Sequence, residues 1–387
     1  MVVIRPFSEE DADEVYRLRR LSFGGPAEPP ADWPEPAGAW QGFVGELDSA
    51  IAGFLRVYAY RQFFGGVAVP MGGIASVCVY PHARGSGIAG ALLEKSLHDM
   101  RERGQPVSTL FPYVLPIYRR YGWEHVGTAD TTLLPLAELA ATPRATAPVR
   151  PATTDDLSDL HACYLRSAAK VDGMLDRSAP VFDLAAPLRQ DVATVVPGEH
   201  GIRGYLTAKR PDGEVLKVLD LVADDVDAAH ALLRQLASWA GGLSEATIRV
   251  IDRTLLDLVV PSAMRRSAEV DDFMLRVVDL PAAIAARGWP AVAYARSFSV
   301  DVEVVDQHAP WQAGRWRLTH EAGTVICERG GEGAVQLSAR ALGPWYAGSA
   351  TTASLRQAGF LSGGHEAAAA LDALTGAPHH VHIANVF

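Results

Sequence analysis

The chain carries one short pattern twice, and that echo limits its fold more than any other feature. Ile4-Arg5-Pro6 leads through Ser8 into a helical pattern with Val15 and Leu18; Val149-Arg150-Pro151 leads through Thr153 into one with Leu157 and Leu160. In both, an apolar-Arg-Pro strand end precedes a Ser/Thr cap, acidic first-turn residues and apolar residues at helical spacing. A common strand-to-helix junction would read the same way. The reading taken is two similar α/β units in tandem, starting near residues 1 and 148 and joined by the Ala-, Thr- and Pro-rich LAATPRATAPVRP. At 387 residues the chain is long enough for a third unit.

That unit is expected from about Asp271. DDFMLRVVDL reads as a strand and PAAIAARGWP as a short helix ended by Gly288 and Pro290. VDVEVV, GRWRLTHE, TVICE and AVQLSA then alternate like antiparallel strands. ARALGPWYAG and HEAAAALDALTG read as helices, and HHVHIANVF as a last strand.

Composition narrows the partners. The 35 basic and 45 acidic residues leave a formal charge of -10, and no long Lys/Arg run appears. A nucleic-acid groove or an anionic membrane surface is therefore not expected, whereas a cationic ligand is compatible. The three cysteines (Cys78, Cys163, Cys327) lie far apart, which argues against a disulfide framework and suits a reducing compartment. No apolar stretch approaches the roughly 20 residues of a membrane span. With no signal-peptide pattern at the start, a soluble cytoplasmic protein is expected.

The chemistry concentrates in IASVCVYPHARGSGIAGALLEKSLHDMRERG. IASVCVY is strand-like, Arg84-Gly85-Ser86-Gly87-Ile88-Ala89 is a small-residue turn, and Ile88, Leu92, Leu93 and Leu97 recur at helical spacing. A glycine turn at a helix N-terminus leaves N–H groups without acceptors at the positive end of the dipole, which suits a pyrophosphate. Gly85, Gly87 and Gly90 formally satisfy G-x-G-x-x-G, the dinucleotide fingerprint. That motif should follow the first strand of its domain and be answered by an acid about 20 residues later. Here several strands precede it, and the next strand, VSTLF, ends in Phe111 without an acid.

A plain structural turn is one alternative, and coenzyme A is the other cofactor that fits a pyrophosphate cradle. Arg84, Gly87 and Ala89 fill the R/Q-x-x-G-x-G/A signature, and the sequence resembles the GCN5-related N-acetyltransferase (GNAT) superfamily. The resemblance implies that N–H groups of Arg84, Gly85, Ser86, Gly87, Ile88 and Ala89 hold the pyrophosphate of acetyl-CoA. Main-chain groups of Val77 and Val79 would hold the pantetheine like an added strand, with the Val79 N–H polarising the thioester carbonyl. Leu115 to Trp123, LPIYRRYGW, is similar to the family's Y-x-x-x-G-F element, which aligns Tyr118 with the acid that protonates the departing thiolate. Tyr121 is the packing alternative. No cysteine is expected beside either motif, so direct attack on the thioester is favoured over an acyl-enzyme.

In the second unit the corresponding turn would be Ala223-Asp224-Asp225-Val226-Asp227, without glycine and with three carboxylates that repel a pyrophosphate. A functional GNAT domain, a degenerate copy and a C-terminal α/β domain together resemble the Eis (enhanced intracellular survival) family of bacterial acetyltransferases. By that resemblance the fold class is α/β (α+β), two tandem GNAT-like domains with mixed sheets flanked by helices, plus a sterol-carrier-protein-like α/β domain. Boundaries are expected at 1–135, 136–270 and 271–387. The family acetylates amines, including aminoglycosides (hence antibiotic resistance) and lysine-type amines, and assembles as hexamers. It uses the C-terminal carboxylate as general base, here that of Phe387.

Other features are weaker. His379, His380 and His382 form H-H-x-H, and His380 and His382 would share a strand face, but no third ligand is evident in the sequence, so no metal is expected. The loop GGPAEPPADWPEPAGAW carries Glu28, Asp32, Trp33 and Glu35, either a solvated Pro-rich loop or a place for a cationic amine. The rival function is a lipid or hydrophobic-ligand carrier working through the third domain.

Overall fold

The Arg-Pro echo becomes the same hydrogen-bond network twice. In the computed structural model, Arg5 grips Asp11 through two bonds of 2.7 and 2.8 Å, while Asp11 caps the Ser8 N–H at 2.8 Å. Arg150 grips Asp156 at 2.7 and 2.7 Å, and Asp156 caps the Thr153 N–H at 2.8 Å. Each is a capping box at the start of a helix. The structure describes all residues except 31–32, 35–37, 211–212, 250, 261–265, 291–297 and 322.

The first repeat runs β1 (Val2–Pro6), α1 (Ala12–Phe23), β2 (Trp40–Leu47), β3 (Ala50–Phe64), β4 (Val67–Val79), α2 (Ile88–Glu102), β5 (Val107–Leu110), α3 (Leu115–Arg120) and β6 (Glu124–Pro135). The second runs β7 (Arg150–Pro151), α4 (Leu157–Ala168), β8 (Val192–Gly198), β9 (Gly201–Lys209), β10 (Val215–Ala223), α5 (Val226–Ala237), β11 (Glu245–Arg249), α6 (Arg253–Val259) and β12 (Arg266–Val277). The elements match one for one.

The two last strands have changed places. All twelve strands form one sheet in the order β1-β2-β3-β4-β5-β12-β6-β11-β10-β9-β8-β7. β12, from the end of the second repeat, pairs antiparallel with β5 of the first; β6 pairs antiparallel with β11 of the second. β6 and β12 also pair with each other, so exchange fuses two sheets into one. The segment from Asp271, expected to open the third unit, therefore lies inside the large sheet as far as Val277. Periodicity gives a strand but not its neighbours, and these are long-range partners.

The third unit follows with α7 (Leu280–Ala286), β13 (Phe298–Val305), β14 (Gly314–Glu321), β15 (Thr324–Arg329), β16 (Val335–Ser338), α8 (Ala339–Ala347), α9 (Thr352–Gln357), β17 (Leu361–Gly363) and α10 (His365–Thr375). Its five strands are ordered β15-β14-β13-β16-β17, and their inner face packs on Leu342, Trp345 and Leu371. Arg276 of β12 reaches into it fully buried, bonded to Asp306 at 2.6 Å. Arg340 of α8 returns to Glu124 of β6. Such pairs need mutual satisfaction once desolvated, so they fix the seam between the units.

HHVHIANVF is not the ladder strand expected of it. Among the described residues it forms one bridge, Thr128 to His382. The segment threads a seam: His379 N–H donates to Gly348 O, His382 N–H to Asp172 O and Ile383 N–H to Thr128 O. Its donors go to three different places, so no ladder can grow.

Candidate active site

β4 pairs in parallel with β5 only from Met71–Val107 to Ile74–Leu110. Beyond that the strands part, because β4 carries a bulge against β3 between Cys78 and Ala75, with Ser76 at φ 55°. A non-glycine residue in that region is costly and needs support. The Ser76 hydroxyl accepts from Arg19 Nε at 3.1 Å. Past the bulge, the Tyr80 N–H donates to Ala52 O on the β3 side. Strand alternation then turns the N–H groups of Val77 and Val79 to the opened side. The bulge thus frees a strand edge within the sheet.

At the mouth of this opening stands the turn into α2. Gly85 and Gly87 have φ of 84° and 90°, and a Cβ on either would meet open space, not protein. Only glycine enters this conformation without strain. The N–H groups of Gly85, Gly87, Ile88 and Ala89 have no acceptor among the described residues. Those of Arg84 and Ser86 are turned inward, to Pro81 O at 3.4 Å and Ala83 O at 3.3 Å. Four of the six expected N–H groups therefore face outward. Leu92, Leu93 and Leu97 bury the opposite face of α2 and hold the cradle to the sheet.

Strand edge, cradle and α3 enclose one cavity of about 760 Å³. Its lining includes Val77, Val79, Arg84, Gly85, Gly87, Ile88, Ala89 and Tyr118 from the sequence-expected set, leaving Ser86 just outside. Phe23, Tyr113 and Val114 add an exposed apolar rim that no motif announced. Tyr118 is buried, its hydroxyl has no partner among the described residues, and burial pushes the phenol up to about 12. It is a protonated donor at neutral pH. Tyr121 packs differently: its hydroxyl stands where a Cβ on Gly90 would lie 2.0 Å away, so the third glycine makes room for that ring.

Cys78 also lines the cavity, contrary to the expectation that no cysteine stands nearby. Burial pushes its thiol up to about 12, and its Sγ lies 3.9 Å from Phe54 O. A thiol so protonated is a poor nucleophile.

Phe387 lies in the first repeat, although it is the end of the third unit. Its ring packs on Tyr60, Phe111 and Tyr58 at centroid distances of 4.9, 5.5 and 6.4 Å. Gly73 of β4 leaves the space, since a Cβ there would come 2.8 Å from that ring. Beside it, Phe182 from the second repeat stacks on Tyr60, and Asn385 borders a cavity of about 280 Å³ with Phe182, Arg177 and Asp220. Of the loop residues, Asp32 and Glu35 lie outside the described residues. Trp33 bonds to Ala12 O at 3.2 Å and stacks under Arg19, and Glu28 is exposed, its carbonyl holding the Tyr16 hydroxyl. Arg19 and Arg20, not acids, line the small cavity beneath Trp33.

In the second repeat the equivalent turn is closed from within. Asp225 caps Ala228 N–H at 2.8 Å; Asp224 is paired with Arg166. Asp227 takes the Thr146 and Ala147 N–H groups at 2.7 and 3.0 Å, so the linker itself lies across the start of α5. Between β10, β11 and α6, the described residues Leu221, Ile248, Leu255 and Leu256 line a void of about 10 Å³.

Comparison with known proteins agrees with this geometry. Residues 3–126 match the family model of the acetyltransferase (GNAT) domain, and residues 280–384 that of a sterol carrier protein domain. An uncharacterized N-acetyltransferase of Streptomyces coelicolor is 29% identical over 92% of both chains. N-acetyltransferase Eis of Mycobacterium tuberculosis is 27% identical over 76% of this chain and 75% of its own. The crystal structure of Eis1 from Mycobacterium abscessus superposes over the whole of both chains with a TM-score of 0.79 and 25% identity. With twinned repeats, the first carrying the acetyltransferase (GNAT) domain, and a sterol carrier protein domain after them, the chain is similar over most of its length to N-acetyltransferases of the Eis type.

Proposed function

We propose that this N-acetyltransferase takes acetyl from acetyl-CoA and passes it directly to the amine of a cationic small molecule of aminoglycoside or lysine type. The observation that carries this is the single cavity in which an opened strand edge, four outward N–H groups and an unengaged phenol meet. In this reading Gly85, Gly87, Ile88 and Ala89 hold the pyrophosphate, with the Arg84 guanidinium at the rim. The Val77 and Val79 edge takes the pantetheine amides, and the Val79 N–H bonds the thioester oxygen as it gains charge.

The amine nitrogen attacks the thioester carbon; the C–N bond forms and the C–S bond breaks. Tyr118 donates to the departing thiolate, and the amine proton passes to a base. We assign that base to the α-carboxylate of Phe387, because the packing of its ring on Tyr60 and Phe111 brings residue 387 to the first repeat. An α-carboxylate, ordinarily ionised above about pH 3.5, accepts a proton directly or through water. Residues 1–135 are the catalytic unit in this reading, 136–270 a degenerate copy, and the remainder a scaffold that delivers the chain end. A net charge of -10 favours a cationic acceptor. The working assembly is a homohexamer in the cytoplasm, which size-exclusion chromatography with light scattering and cell fractionation test. Among the described residues, no helix is long and apolar enough to cross a membrane.

The experiment is release of coenzyme A across aminoglycosides, polyamines, lysine peptides and arylamines, with product masses checked for one added acetyl group. No binding of acetyl-CoA by calorimetry would overturn the reading.

A further inference from the structure

Asp130 lies on β6 and His380 and His382 on the C-terminal segment; one ligand atom from each lies within 4.8 Å of the others. His380 and His382 stack at 5.6 Å, and His380 Nε2 is 3.7 Å from Asp130 Oδ2. The third ligand missing from the sequence is thus supplied across the fold. We propose that Asp130, His380 and His382 bind a divalent transition-metal ion of the zinc class and clamp the C-terminal segment onto β6.

Four observations carry it. Asp130 is 5% exposed, and its Oδ1 is buried without a hydrogen-bond partner among the described residues. A buried carboxylate oxygen is costly when unsatisfied, and a cation is one remedy. Its other oxygen accepts from Arg253 at 2.6 Å, the outer-shell bond that fixes a ligating carboxylate. Two imidazoles and one carboxylate suit zinc and its neighbours more than magnesium or calcium. Finally, His380 is exposed, which gives the ion a path in and leaves room for water as a fourth ligand. Ligand bonds of about 2.0–2.1 Å need the three groups to close slightly from their present spacing.

Among the described residues the bridge between Thr128 and His382 is the only ladder contact of this segment, so a metal beside it would add a second tie to β6. The binding claim stands apart from the role of Phe387, because both readouts below are independent of turnover. The full chain, with any affinity tag removed, is titrated with Zn²⁺ against a chromophoric chelator, and with Co²⁺ for its visible absorption. We expect one equivalent per chain and an affinity at least tenfold weaker in His380→Ala and in Asp130→Asn. His365→Ala, an exposed histidine elsewhere, should bind as wild type does. Zn²⁺ should also slow amide exchange in residues 381–387 of the wild type but not of His380→Ala, a surface change that spares folding. Equal affinity in wild type and His380→Ala, or no binding by either, overturns the site. Binding without slowed exchange overturns the clamp.

Discussion

The ring of Phe387 lies 4.9 Å from that of Tyr60, joining the last residue of the sequence to the third strand of the first repeat. That contact brings residue 387 to the unit that holds the cleft proposed for acetyl-CoA. If the α-carboxylate accepts the amine proton, appending residues converts it to a neutral amide and moves the new charge about 3.3 Å per extended residue. A short C-terminal extension should therefore lower kcat sharply, and an N-terminal one should not. Phe387→Leu should do less harm, since it keeps the carboxylate. Melting temperature and acetyl-CoA affinity must stay at wild-type values for the comparison to count. An extended enzyme that passes those controls and turns over normally would place the base elsewhere.

Tyr118 tests the other proton. Its side chain is buried, burial keeps the phenol protonated, and its hydroxyl has no hydrogen-bond partner among the described residues. Tyr118→Phe should leave acetyl-CoA affinity nearly unchanged while kcat falls by roughly tenfold to a thousandfold, as expected for losing one general acid that water partly replaces. Pre-steady-state kinetics shows whether chemistry limits the rate. An unchanged chemical step would remove Tyr118 from the mechanism.

The cradle is sensitive at Gly87, which has φ 90° and faces the cavity. Gly87→Glu adds backbone strain and sets a carboxylate against the pyrophosphate, so acetyl-CoA binding should disappear from calorimetry while the fold persists. Retained affinity would mean the phosphates lie elsewhere.

These features differ in how far sequence exposes them. Gly85, Gly87 and Tyr118 are legible because their work is local: a turn, a helix start, a short spacing. The Ser8 and Thr153 caps are legible for the same reason. The exchange of β6 and β12 is not, since each reads as the same half-buried strand whichever partner it takes. The meeting of Asp130 with His380, and of Phe387 with Tyr60, likewise depends on contacts between distant segments. Ser76 escapes notice because nothing in its identity announces a positive φ. The linker bonds of Asp227 are hidden too, although its charge alone already argues against a phosphate site.

That closed second turn fixes a stoichiometry. With Asp224, Asp225 and Asp227 engaged, and a void of only about 10 Å³ among the described residues between β10, β11 and α6, the second repeat is expected to bind no coenzyme at the equivalent place. Saturation should come at one acetyl-CoA per chain in calorimetry. Two equivalent sites would contradict it.

The paired capping boxes predict how stability responds to acid. The Arg5 guanidinium bonded to Asp11 holds that carboxyl down at about 2, and Arg150 holds Asp156 low by the same means. A carboxyl depressed in the folded state stabilises it fully above its unfolded value, near 3.9, and loses that contribution as pH falls through the folded value. Arg5 is partly exposed, so solvent screening reduces the Asp11 contribution to on the order of 1 kcal/mol. Asp11→Asn should accordingly lower the urea midpoint at pH 7, and the gap from wild type should persist to about pH 4. Below that it should narrow toward pH 2, because the wild-type carboxyl is then also neutral. Asp156→Asn should behave alike, as the two networks share donors, acceptors and spacing. A gap that stays constant from pH 7 to pH 2.5 would show that the box acts through packing and not through the charge on its aspartate.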